Sequence, residues 1–141
     1  MTASSPVDVP QGFAPIFRSS PFLETIGPLY SKGTGTQLVI GWRVESKHTN
    51  GRGSLHGGVL ASVADVALGY SLATSGETRT SMVTASLSID FAGSAAIGDW
   101  VETTVDIQKR GSRLAFANAY FAARNERIAR ASGVFLVLGA S

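Results

Sequence analysis

A chain of 141 residues that is 44% hydrophobic and 16% charged is long enough to bury one sizeable core, which sets the expectation of a globular domain. A formal net charge of +2, with no long basic run, sets nucleic acid aside as a partner. With no cysteine, disulfides and thiolate metal sites are excluded, and His48 and His56 are too few for a histidine-rich metal site.

Residues 1–12 are rich in proline and serine and read as a mobile N-terminal segment, leaving 13–141 as a single domain. The opening residues show no basic stretch followed by an apolar one, so the reading is a cytoplasmic protein. Phe13 to Phe17 and Pro21 to Ile26 each predict a short helical turn, the second entered through Ser20-Pro21. Two β-like stretches lie between Leu29 and Ser46, separated by Lys32-Gly33-Thr34-Gly35. The second, Gln37 to Glu45, alternates, with Leu38, Ile40, Trp42 and Val44 on one face. Lys47 to Ser54 is a polar loop carrying the turn signals Asn50-Gly51 and Gly53.

A helix is predicted from Gly57 to Thr74, stopped by Ser75-Gly76. It is apolar on nearly every side, and Asp65 is the one formally charged side chain between Arg52 and Glu77. The run Leu55 to Ala73 approaches membrane-spanning length, but Asp65, His56 and three glycines favour a buried helix of a soluble protein. Three strands follow with a period of two. Val83, Ala85, Leu87, Ile89 and Phe91 share a face of the first, and Val101, Thr103, Val105 and Ile107 a face of the second. Leu114 to Arg124 is the third, turned at Asn125-Glu126 into a last strand from Ile128 to Leu138. The separators Gly93 to Gly98 and Arg110-Gly111-Ser112 fit short antiparallel connections. Two strands, one long helix and four strands predict an α+β fold, with an antiparallel sheet curled around an all-apolar helix.

Chemistry is concentrated at that helix. An unpaired carboxylate taken out of water costs several kcal/mol, and Ala64, Val66 and Ala67 offer Asp65 no partner, so a functional acid is the expectation. The pair Gly57-Gly58 leaves bare backbone N–H groups at the helix start, open to an incoming oxygen. An oxyanion-binding helix terminus and a carboxylate deeper on the same helix point to a reaction at a carbonyl. Eight residues separate Gly57 from Asp65, ~12 Å along a helix axis. One reacting carbon and its attacking water cannot bridge that gap, so if both residues serve one reaction they come from two chains, at a dimer interface. Gly58, Ser62, Asp65 and Gly69 recur at three- and four-residue steps and share a face of small residues that admits a substrate or a close-packed partner. Leu60, Val63, Ala67 and Tyr70 lie elsewhere and are assigned to the core.

With Asn50, then His56-Gly57-Gly58 opening the helix and Asp65 within it, the chain resembles the hotdog-fold acyl-coenzyme-A thioesterases. It is most similar to the phenylacetyl-type branch of the 4-hydroxybenzoyl-coenzyme-A thioesterase superfamily. The resemblance covers roughly Leu38 to Leu138. It implies a sheet of five to six strands wrapped around one central helix, dimers that join their sheets edge to edge, and dimers that often pair into tetramers. It implies hydrolysis of an acyl-coenzyme-A thioester to acid and thiol, with no cofactor and no metal, coenzyme A being part of the substrate. In this reading the Gly57 N–H holds the developing oxyanion, Asn50 supports the carbonyl or positions water, and Asp65 of a neighbouring chain is the general base or the nucleophile. Thr84 stands where family members place a hydroxyl near the attacking water, and His56 hydrogen-bonds near the leaving thiol or braces the loop. Gly58 and Ser62 line the substrate, and Lys109, Arg110 and Arg113 meet the nucleotide phosphates.

Each assignment has a plainer counterpart. Asn50 before Gly51 also reads as a turn residue, Thr84 as an ordinary strand residue, and Lys109, Arg110 and Arg113 as a solvated hairpin tip. Hotdog dehydratases pair Asp with His differently, and His56 at the helix start counts against them. A non-catalytic acyl-coenzyme-A sensor with the same pocket is the alternative function. Acyl-chain preference, the choice between base and nucleophile for Asp65, the tetramer arrangement and the physiological pathway are not written in the residues.

Overall fold

The computed structural model of the protein describes residues 8–140. Residues 1–7 of the segment read as mobile lie outside the described residues; the adjoining Asp8 carbonyl accepts a hydrogen bond from Arg43 at 2.5 Å. Seven strands form one antiparallel sheet: β1 (Ala14–Pro15), β2 (Tyr30–Lys32), β3 (Val39–Arg43), β4 (Thr80–Phe91), β5 (Trp100–Arg110), β6 (Leu114–Ala123) and β7 (Glu126–Ala140). The short helix α1 is Pro21–Ile26 and the long helix α2 is Gly57–Ala73. The spatial order is β1-β2-β3-β5-β6-β7-β4, which leaves β4 at one end of the sheet. The sheet packs its inner face on α2, as expected for a hotdog fold, and the two-residue β1 takes the strand count above five to six. Among the described residues, no helix is long and apolar enough to cross a membrane.

The alternating residues of β3 and its flanks behave as their pattern requires: Leu38, Ile40, Trp42 and Val44 are all buried. On β6 the inner face is almost entirely alanine, at Ala115, Ala117, Ala119 and Ala123, with Phe121 the exception. Those small side chains leave room for Leu60, Val63, Ala67, Leu68 and Leu72 of α2, all buried in the same core. Trp42 and Phe121 meet edge to face at 6.2 Å and 76°. The β6–β7 turn runs through Arg124 and Asn125 at φ 52° and 62°, the left-handed pair that a two-residue hairpin takes. Ser20 caps α1 by accepting from the Leu23 N–H at 3.3 Å.

Two expectations need correction. Phe13 to Phe17 is extended, not helical: Ala14 and Pro15 pair with Ser31 and Tyr30, and the Ile16 N–H donates to the Leu29 carbonyl at 3.0 Å. Tertiary pairing with β2 overrides the local preference. The common face predicted for Val83, Ala85, Leu87, Ile89 and Phe91 is broken by a β-bulge, since Thr84 pairs with Phe135 and Ser86 with Val134, leaving Ala85 as the extra residue. One inserted residue switches the parity of a strand. Val83 therefore points outward, 47% exposed beside the outward Leu136, while Leu87 and Ile89 pack on the core. The same bulge turns Thr84 inward, opposite the buried Phe135.

Candidate active site

The start of α2 is set by His56, the N-cap residue, at φ −71° and ψ 133°. Its Nδ1 accepts from the Gly58 N–H at 2.7 Å, and its carbonyl accepts from the Val59 N–H at 3.0 Å. The Gly57 N–H, between them, has no acceptor among the described residues. His56 thus braces the helix start while one bare donor stays open.

His56 is held in turn by His48, whose carbonyl accepts the His56 N–H at 2.8 Å. His48 is buried; its Nδ1 accepts from the Glu45 N–H at 2.9 Å, which assigns the proton to Nε2, donated to the Ile26 carbonyl at 2.5 Å. Between the two histidines, Asn50 makes the expected turn: its Oδ1 accepts from the N–H groups of Arg52 at 2.9 Å and Ser54 at 3.2 Å. The carboxamide oxygen is therefore spent, and the Asn50 amide nitrogen is the group left for a ligand. Asn50, Arg52, Gly57, Leu60 and Phe91 line one cavity of about 470 Å³. The Phe91 ring lies directly on Gly57, 3.0 Å from where a Cβ would stand, so a larger residue there makes the exposed ring give way.

Asp65 lies in a different cavity, of about 640 Å³, together with Gly69, Tyr70, Met82, Thr84 and Phe135. Its carboxylate is half-buried, not sealed in the core as the burial argument had it. The partner that the neighbours on its own helix cannot supply comes from β4: the Thr84 hydroxyl donates to Oδ1 at 2.5 Å. That contact exists because the Ala85 bulge turns Thr84 inward. Oδ2 has no hydrogen-bond partner among the described residues, and Asp65 lines the cavity.

The residues named from sequence therefore fall into two groups. Asn50, His56 and Gly57 gather at the helix start; Asp65 and Thr84 lie two turns further on, in a separate cavity, and neither of these two cavities contains both groups. Gly58 has its N–H occupied by His56, and Ser62 donates its hydroxyl to the Gly58 carbonyl at 2.8 Å. Both, with Asp65 and Gly69, lie on the less buried side of α2. Lys109, Arg110 and Arg113 are exposed around the β5–β6 turn. Of the three, Arg110 donates to the hydroxyl of Thr80, a residue that lines the Asp65 cavity. Among the described residues, no group of three His, Cys, Asp or Glu side chains could hold a metal ion.

Three lining residues escaped the sequence reading. Tyr70 packs against the core as expected but also walls the Asp65 cavity, and Arg18 and Arg79 line it too. Burial pushes the Tyr70 phenol above its usual pKa, with the Arg18 charge pulling it back. Five residues beyond Asp65, Tyr70 stands about 140° around the helix axis, so periodicity gave no signal for it. Nothing local marks the two arginines, which the fold brings in from the β1–α1 and α2–β4 connections.

Residues 52–129 match the family pattern described as the thioesterase superfamily. A Pseudomonas aeruginosa protein named as an esterase is 45% identical over 130 residues, covering 92% of this chain and 97% of its own. The mouse protein acyl-coenzyme A thioesterase 13 is 34% identical over 82 residues, 58% of each chain. Among solved structures, the Escherichia coli PaaI protein from the phenylacetic acid degradation operon superposes with a TM-score of 0.70 at 24% identity, over 76% of both chains, a likeness of fold.

Proposed function

The chain belongs to the thioesterase superfamily and is a thioester hydrolase, and from that premise we propose that it cleaves acyl-coenzyme-A esters to the free acid and coenzyme A. Water is the second substrate, and no metal or organic cofactor takes part. The reading rests on one observation above others: each chain carries an open oxyanion donor and a hydroxyl-held carboxylate in two separate cavities.

In this mechanism the thioester carbonyl oxygen lies on the free Gly57 N–H, with the Asn50 amide nitrogen beside it. Asp65 of the partner subunit, fixed through Oδ1 by Thr84, takes a proton from water on Oδ2 as water adds to the carbonyl carbon. Collapse of the tetrahedral intermediate breaks the C–S bond, and the sulfur leaves with coenzyme A and takes up the proton that Asp65 accepted, which restores the carboxylate. Direct attack by the carboxylate is the variant of the same geometry. Arg110, with Lys109 and Arg113, is assigned to the nucleotide phosphates.

The sheet supports sharing of the site. Among the described residues, one edge of the 12-residue β4 has no strand beside it, and long free edges invite pairing. The Phe91 end of β4 lies on Gly57, and its Thr84 end on Asp65. Antiparallel pairing of two β4 strands, centred near Leu87 and Ser88, sets Thr84 of one copy across from the Phe91 end of the other. Each Asp65 then approaches the other chain's Gly57, and twofold symmetry makes two such sites. Val83, Leu136 and Leu114 are exposed and adjacent in register on the outer face, a patch on which two dimers pack into a tetramer. The assembly is placed in the cytoplasm.

Two dead subunits provide the test. Asp65→Asn and Gly57→Pro chains are co-expressed with different tags, and the mixed dimer is isolated. Each homodimer lacks one half of every site, whereas the mixed dimer regains one complete site of two and about half the wild-type rate. A silent mixed dimer refutes sharing, and a wild-type rate in Asp65→Asn homodimers removes the carboxylate from the mechanism.

A further inference from the structure

The cavity around Asp65 carries charge that hydrolysis itself does not use. It runs along α2 from Asp65 past Gly69 to Tyr70, which places the Tyr70 backbone ~7.5 Å further along the helix axis than that of Asp65. The β1–α1 connection crosses this far end, contributing Arg18 to the lining. The crossing is pinned: the Phe17 ring packs on Tyr70 at 5.4 Å, and the Tyr70 hydroxyl donates to the Arg18 carbonyl at 3.4 Å. The guanidinium of Arg18 lies near enough to act on the Tyr70 phenol, lowering a pKa that burial raises. Arg79 lines the same cavity. Among the described residues neither Arg18 nor Arg79 belongs to an ion pair, and Asp65 is the only acid in the lining.

Resting on the thioesterase reading, with the reacting carbonyl carbon at Asp65, we propose that Arg18 and Arg79 bind an anionic oxygen group at the tip of a short acyl chain. The enzyme then prefers half-thioesters of dicarboxylic acids to alkanoyl esters of the same length. Guanidinium pairs with carboxylate through two parallel hydrogen bonds, which gives both affinity and orientation. The Tyr70 hydroxyl, whose proton goes to the Arg18 carbonyl, ties down the connection that carries Arg18. Arg18 and Arg79 are exposed residues, and an alkanoyl methyl group at that position offers their guanidiniums no acceptor where a carboxylate pairs with both. The coenzyme's own phosphates offer the same chemistry, so the test separates the two sources.

Thiol release from glutaryl-coenzyme A and pentanoyl-coenzyme A, which share a chain length and differ in the terminal carboxylate, gives a ratio of kcat/KM values. The wild-type ratio favours glutaryl by about tenfold or more, and Arg18→Gln and Arg79→Gln each reduce it about tenfold toward unity. A wild-type ratio at or below one overturns the proposal, as does a ratio that neither substitution moves. Equal losses on both esters that vanish with the 3′-dephospho thioesters assign the arginines to the nucleotide and overturn it as well. Wild-type turnover of pentanoyl-coenzyme A upholds the hydrolase reading wherever the ratio falls, whereas no turnover of either ester brings down both.

Discussion

Gly57→Pro removes one backbone N–H and little else that the helix uses. Gly57 is the first residue of α2, and its N–H has no acceptor among the described residues. Proline is accepted at a first helical position because the hydrogen it lacks has no partner there in any case. His56, the residue before it, already has the extended backbone, φ −71° and ψ 133°, that a following proline requires. New ring atoms meet Phe91, whose ring is 3.0 Å from an ideal Cβ at Gly57, but Phe91 is 55% exposed and free to turn aside. Gly57→Ala adds the same Cβ and keeps the N–H, and so serves as the control for crowding. Loss of an oxyanion donor costs about 2.7–4 kcal/mol, or about 10²–10³ in rate. In a continuous assay of thiol release, kcat and kcat/KM of Gly57→Pro fall together by that factor below Gly57→Ala, the pattern of a contact made only in the transition state. Thermal melts of the two variants lie within a few degrees of each other. If Gly57→Pro turns over as fast as Gly57→Ala, this N–H does not hold the oxyanion.

Thr84→Val keeps the shape of the side chain and removes the hydroxyl that holds Asp65. A hydrogen bond to a charged group is worth about 1.5–3 kcal/mol, reduced here because Thr84 is exposed, so kcat falls about tenfold with little change in KM. Thr84→Ser restores the rate, and a Thr84→Val enzyme as fast as wild type shows that the hydroxyl does not position the acid. His48→Ala strips buried partners from the Glu45 N–H and the Ile26 carbonyl. Its cost is about 3 kcal/mol, read as a fall of roughly 10 °C in Tm; a melt unchanged within 2 or so degrees argues that water replaces the ring.

The helix and its cap were legible because every local signal agreed: an apolar run, small residues before it, Ser75-Gly76 after it. The buried face of β3 was legible for the same reason, since its alternation is unbroken and its pairing regular. The bulge in β4 was not. Val83, Ala85, Leu87, Ile89 and Phe91 keep a perfect period of two, and no glycine or proline marks Ala85 as the residue left unpaired. Only the register against β7 reveals it, and register is a property of two strands. Asp65 shows a different limit. Burial inferred from apolar neighbours along a helix ignores the stripe of small residues that opens one side, so the acid emerges half-buried and bonded to a strand nineteen positions away.

The bulge and the free edge belong to one design. With regular alternation across Ala85, Val83 would turn toward Asp65 and Thr84 to the outer face, and the acid would lose the hydroxyl that orients it. Shifting parity in mid-strand lets the Thr84 half of β4 hold the acid while the Phe91 half lies against the helix start. Both contacts sit on the strand whose far edge is open among the described residues. In the proposed dimer, a partner joined along that edge is positioned by the backbone of the strand that shapes each half-site, which would make assembly and alignment of the reacting groups one event. Catalytic geometry in such an enzyme depends on the register of a strand pair, which hydrogen bonds fix in whole-residue steps, and not on the loose approach of two surfaces.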